Sequence, residues 1–172
     1  MKIGDAAPDF QRIADESGQH RSLSDFRGKR LVLFFYPKDN TPGCTTECLS
    51  FRDHYHTFQQ NNIEVLGVSM DSVRTHSGVK TKRNLPYHLL SDTELTLIRS
   101  YGMKSSRGKG AKRATVIIDE EGRVERLYLE KVNPKTHVET VLRDMGVTAV
   151  TTDAAAAGSE GDKDEESSEE EE

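Results

Sequence analysis

The feature that most constrains the fold is the placement of three short, uninterrupted apolar runs among segments of helical character. Residues 30–36 (RLVLFFY), 63–70 (IEVLGVSM) and 114–118 (ATVII) do not alternate apolar with polar side chains along their length. That is the pattern of strands buried on both faces. Strands that need cover on two sides must be supplied with helices, so an α/β layered fold is expected in preference to an all-helical or all-β one. Helices are predicted over residues 42–61, within 72–83, within 93–101 and over 134–145. The last has the clearest bounds, with Asn133 as N-cap, Pro134 at the first helical position and Gly146 as the stop. Residues 123–129 (RVERLYL) follow the turn Glu120-Glu121-Gly122 and should form a hairpin with the strand before it. Residues 102–113 (GMKSSRGKGAKR) read as a mobile basic loop.

At 172 residues the chain suffices for one domain with a proper core, and two would be cramped. The net charge of -5 conceals a division. Residues 151–172 hold ten acidic residues and one lysine, a balance of -9, which leaves +4 for residues 1–150. After Val150 there is no aromatic or large aliphatic side chain, so this segment is expected to be a disordered acidic tail on a folded domain spanning 1–150. The chain has no apolar run of roughly 18 residues, and its N-terminus (MKIGDAAPDF) lacks a secretory pattern, so a cytoplasmic protein with no membrane partner is expected.

The two cysteines, Cys44 and Cys48, lie together in one short stretch. A disulfide-stapled scaffold would spread its cysteines to close long loops, so clustering points to redox chemistry or metal binding. A zinc site would need two further ligands, and His20, His54, His56, His76, His88 and His137 show no ligand spacing to supply them. No metal or other cofactor is therefore expected. The stretch FYPKDNTPGCTTEC leaves a buried strand and opens a helix, with Thr41 as N-cap, Pro42 at N1 and Cys44 at N3. At N3 the unpaired backbone N-H groups and the helix dipole favour a negative charge, which for a cysteine is the nucleophilic thiolate. The bland alternative is a small buried core cysteine; spacing and capping together favour the nucleophile.

The same residues resemble a known family. FYPKDNTPGCTTEC is similar to the peroxiredoxin signature, in which Pro, Thr and Cys are separated by three and two residues. TPGCT and the downstream FRD resemble the bacterioferritin comigratory protein, or Q-type, subgroup. The likeness runs over roughly residues 3–146 and takes in APDF, the LSD at 90–92 and KRATVIID. It implies a thioredoxin-like three-layer fold, with a central mixed sheet flanked by helices, that reduces hydrogen peroxide or organic hydroperoxides and is recycled through a disulfide by thioredoxin or a similar thiol reductant. It also implies roles residue by residue. Cys44 matches the peroxidatic cysteine, Thr41 the hydroxyl that binds thiolate and peroxide, Pro37 the ring that shields the thiolate, and Arg113 the guanidinium that polarises the peroxide. Glu47 and Arg52 either support the first helix and its pocket or belong to a solvated face.

Cys48 departs from the resemblance. Q-type members with an internal disulfide carry the second cysteine five residues after the first; here it comes four after, with Leu49 in the usual place and FRD still in register. Cys48 is thus the candidate resolving cysteine, although at about 3.6 residues per turn it shares an apolar stripe with Cys44, Phe51, Tyr55 and Phe58 and would also suit a core thiol. In the latter case the chain is a one-cysteine peroxidase. Two other functions compete. A thiol-disulfide oxidoreductase of the same fold would use CxxC, typically after an aromatic residue, and here the spacing is CxxxC in a chain without tryptophan. A binding module is suggested by the basic loop and acidic tail, yet no nucleic-acid signature or aromatic platform accompanies them. A monomeric thiol peroxidase with no nucleic-acid partner is the expectation.

Overall fold

The computed structural model describes residues 1–147. The acidic segment 151–172, expected to be a disordered tail, lies outside the described residues. A small ribbon of β1 (Ile13–Ala14) and β2 (His20–Arg21) precedes the main sheet. That sheet comprises β3 (Arg30–Phe35), β4 (Ile63–Ser69), β5 (His88–Ser91), β6 (Ala114–Ile118) and β7 (Val124–Tyr128), in the order β5-β4-β3-β6-β7. β3, β4 and β5 run parallel, whereas β6 and β7 add on antiparallel, so the sheet is mixed. The helices are α1 (Pro42–Gln60), α2 (Val73–Arg83), α3 (Thr96–Ser100) and α4 (His137–Asp144).

Alternate residues of β3 enter two separate cores. Val32 and Phe34 pack with α1, α2 and α4 residues such as Phe51, Phe58, Val79 and Val141. Leu31, Leu33 and Phe35 pack on the other face with Ala7, Phe10, Leu23, Leu97 and Ile98. Helices therefore cover both faces of the sheet, giving the expected three layers. The three continuous apolar runs are the three central strands, β3, β4 and β6, because only strands buried on both sides can dispense with polar positions. No helix among the described residues is long and apolar enough to cross a membrane.

Several boundaries differ from the sequence expectation. α4 starts at His137, three residues after Pro134: the Asn133 side chain accepts from the Lys135 backbone N-H at 2.9 Å, and the chain makes a turn there before the helix begins. Gly146, at φ +74, ends it as expected. α3 also starts late, because Leu95 takes a left-handed φ of +61 and Asp92 accepts from Ile98 N at 2.7 Å. The basic loop is better tied than its composition suggests. Met103 and Ala111 are buried, Lys104 bridges to Ala111, and the backbone of Ser105 bonds to that of Gly110.

Candidate active site

β3 delivers the chain to the N-terminus of α1 at one end of the sheet, and β6 brings Arg113 to the same end. β6 pairs antiparallel with β3 so that Ala114 lies opposite Phe35, which sets the preceding Arg113 beside the loop leaving β3. The Arg113 Nη2 donates to Cys44 Sγ at 3.4 Å, and its Nη1 donates to Glu47 Oε1 at 2.7 Å. Gly43 makes that approach possible, since a Cβ there would lie 3.1 Å from Nη2. One guanidinium thus joins the thiol at the third position of α1 to a carboxylate one turn later. Cys44 is 1 % exposed and Glu47 is fully enclosed.

The electrostatics follow from this enclosure. Burial pushes the Glu47 carboxyl up to about 7 even though the Arg113 charge pulls it down, and its Oε2 has no hydrogen-bond partner. Burial also works against the charge of Arg113, but Cys44 and Glu47 outweigh it and hold the guanidinium more firmly cationic. Behind the site, His137 is pushed down to about 4 by burial and by Arg113, and its Nε2 meets the Thr115 hydroxyl at 2.8 Å. A thiol at a helix N-terminus beside a cation anchored on a buried carboxylate is placed to attack a substrate whose leaving group gains negative charge.

Comparison with known proteins gives the family and the fold. Residues 3–127 match the AhpC/TSA family. The chain belongs to the AhpC/TSA family, among the Bcp-type peroxiredoxins. It is 41 % identical over 148 residues to the putative peroxiredoxin bcp of Coxiella burnetii, spanning 83 % of this chain and 97 % of that one. It is 42 % identical over 151 residues to peroxiredoxin Bcp of Bacillus subtilis, spanning 84 % and 95 %. Among solved structures, peroxidoxin BcpB of Mycobacterium tuberculosis superposes with a TM-score of 0.78 at 33 % identity, over 85 % of this chain and 97 % of that one. The fold of this peroxiredoxin is therefore thioredoxin-like, as the sequence implied.

The other expected site residues of this peroxiredoxin differ in their surroundings. Thr41 has the extended backbone of an N-cap, but its hydroxyl does not cap α1; it donates to the Lys38 carbonyl at 3.0 Å. Its lone pairs thus stay open to a donor. Pro37 is exposed at the rim of a cleft of about 500 Å³ that it shares with Lys38, Met70, Gly110 and Lys112. Cys48 is 3 % exposed within the aromatic core, with Tyr87 OH donating to its backbone carbonyl at 2.6 Å. Burial, followed by the Glu47 and Asp39 charges, pushes the Cys48 thiol well up, so it is held protonated in the reduced fold. Arg52 donates to Asp53 and to the Arg83 carbonyl and so braces α1 against the end of α2.

Sequence reasoning left Glu47 undecided between pocket and surface. The spacing from Cys44 to Glu47, three apart on one helix, was the available signal, because such pairs face a common neighbour. It did not bring Asp39 and His76 together. His76 Nδ1 lies 2.6 Å from Asp39 Oδ2 across 37 positions of sequence. Another group of carboxylates and imidazole, Asp15, Glu16 and His88, comes together at the ends of β1 and β5 and is met by Arg21 and Lys80.

Proposed function

We propose that this chain reduces hydrogen peroxide and organic hydroperoxides through the thiolate of Cys44. The observation that carries the reading is the Arg113 guanidinium, which donates at once to Cys44 Sγ and to the enclosed Glu47 carboxylate. In the first step the Cys44 sulfur attacks one peroxide oxygen and the O–O bond breaks. The other oxygen leaves with the electron pair and takes up a proton, as water or an alcohol, and Cys44 becomes a sulfenic acid. Arg113 stabilises both the thiolate and the charge developing on the leaving oxygen, where a preorganised donor has most effect. Thr41 presents its hydroxyl to the peroxide, and Pro37 limits access of water to the sulfur.

Cys48 then attacks the sulfenic acid, a disulfide forms and water leaves, and a dithiol of the thioredoxin class restores both thiols. The protein works as a cytoplasmic monomer without nucleic-acid or membrane partners. Stopped-flow oxidation by peroxide, followed by turnover with a thioredoxin system, tests the reading. Cys44→Ser should consume no peroxide while keeping the fold, since serine is not ionised at neutral pH; measurable turnover by the pure variant would refute it.

A further inference from the structure

The six residues between β3 and α1 hold Pro37 and Thr41, and they are not in a relaxed conformation. Asn40, between Asp39 and Thr41, sits at φ +64, a left-handed geometry that costs free energy in any residue with a side chain. A loop of this kind persists only when something outside it fixes its shape.

The fixing groups converge on Asp39, which is 4 % exposed. Its Oδ1 accepts from the Tyr36 hydroxyl at 2.7 Å, its backbone N-H donates to Asp71 Oδ2 at 2.8 Å, and its Oδ2 meets His76 Nδ1 at 2.6 Å. His76 is fully buried on α2. Its Nε2 faces the Leu90 carbonyl at 3.1 Å and Ser69 Oγ at 3.3 Å. The carbonyl can only accept, and the Ser69 hydroxyl already donates to Asp71 at 2.6 Å, so Nε2 carries a hydrogen. The contact at Nδ1 then ties the imidazole directly to the Asp39 carboxyl. The charged and titratable groups facing it are Asp39 and Tyr36 from the end of β3 and Asp71 after β4. Asp39 and Asn40 also line one small cavity with Cys44, Thr45, Cys48, Val79 and Arg83, so Asp39 borders the same space as both cysteines.

We propose that Asp39 and His76 form a latch that fixes the 37–41 loop against α2 and β5 and thereby positions Thr41 and Pro37 for the peroxide step. Neither touches the peroxide; both are positioning residues. The latch rests on the peroxidase reading above and acts through hydrogen-bonded geometry, not through the net charge of Asp39. An asparagine can reproduce that geometry, with its amide N-H aimed at a neutral His76 Nδ1 and its oxygen accepting from Tyr36.

The test measures two second-order rate constants for Cys44 in the full-length chain: oxidation by hydrogen peroxide, and alkylation by iodoacetamide, assigned to Cys44 by peptide mass. Alkylation needs the thiolate but not the peroxide pocket. Rapid oxidation of the wild type establishes the peroxidase reading on its own, so a wild type inert to peroxide would reject that reading, and only the variants bear on the latch. Asp39→Ala should lower the peroxide rate about tenfold or more, because a misplacement of about 1 Å can cost up to ~10²-fold, and should leave alkylation near its wild-type rate. Asp39→Asn should recover most of the loss. In a Thr41→Val background Asp39→Ala should slow oxidation little further, since both changes act at one place. If Asp39→Ala does not fold, His76→Gln, which keeps a donor for Leu90 and gives up Asp39, should show the same selective loss. The latch is overturned by an unchanged peroxide rate, by parallel loss of both rates, by an asparagine variant as slow as alanine, or by additivity with Thr41→Val.

Discussion

Gly43 has no side chain, and the space a Cβ would take is claimed by the Arg113 guanidinium, 3.1 Å away, and the Pro134 ring, 3.6 Å away. A cation that serves both a thiol and a carboxylate must sit within a few tenths of an ångström of one position, so Gly43 acts on the chemistry through Arg113. Gly43→Ala should therefore slow peroxide oxidation of Cys44 about tenfold with little change in thermal stability, because the guanidinium must shift away from the sulfur. Arg113→Ala should cost ~10²-fold or more, as expected for a donor that acts mainly in the transition state. Arg113→Lys should not restore the rate, since a single ammonium cannot donate in two fixed directions to Cys44 and Glu47. Stopped-flow oxidation of the three variants measures this; wild-type rates in Gly43→Ala would mean that the position of the guanidinium does not limit the step.

At the scale of the element, α1 has to be both rigid and able to open. Cys44 and Cys48 are one turn apart, where Cβ atoms lie about 5 to 6 Å from each other, while a disulfide needs roughly 3.5 to 4.5 Å. The bond can close only if the first turn loosens, and that turn starts with Pro42 and Gly43 and has no side-chain cap. Loosening would also release the buried Cys48 thiol from the surroundings that keep it protonated. One equivalent of peroxide should then yield an intramolecular disulfide, detected as a loss of two hydrogens and a peptide linking Cys44 to Cys48. A stable sulfenic acid beside a free Cys48 thiol would instead make Cys48 a core residue and the enzyme a one-cysteine peroxidase. The elements legible in the sequence were those whose pattern is local. β3, β4, β6 and the bulk of α1 follow from apolar runs and one capping signal, and Cys44 with Arg113 from a motif and a strand start. β1, β2 and β5 are too short to have a period. The starts of α3 and α4 are set by the Asp92 and Asn133 side chains binding the backbone downstream. The Asp39–His76 contact depends on two segments meeting in space, and nothing in either segment announces it.

For the whole molecule, the buried titratable groups around the site make opposing contributions to stability as pH changes. Glu47 is raised from 4.5 to about 7, so its contribution is complete below 4.5 and is lost as pH rises through 7. His137 is lowered from 6.5 to about 4, so its contribution is complete above 6.5 and is lost as pH falls towards 4. Each amounts to about 3 kcal/mol at most, taking about 1.4 kcal/mol per pKa unit. Asp15 and Glu16 act in a lower window. Burial would raise both, but hydrogen bonds from Ser17 and Arg21 to Asp15, and from His88 and Leu89 to Glu16, bring each down to about 2, so their contributions are lost only in more acid solution. Between pH 4.5 and 6.5 the Glu47 and His137 slopes therefore run against each other, and the wild type should show a shallow dependence there. Glu47→Gln keeps the oxygen that accepts from Arg113 and removes the titration, leaving the His137 slope exposed: its unfolding free energy relative to wild type should rise with pH across that interval. His137→Gln should tilt the opposite way. Urea unfolding at half-unit steps of pH measures both slopes, and parallel curves for Glu47→Gln and wild type would mean that Glu47 stays ionised throughout, held by Arg113 against the cost of its burial.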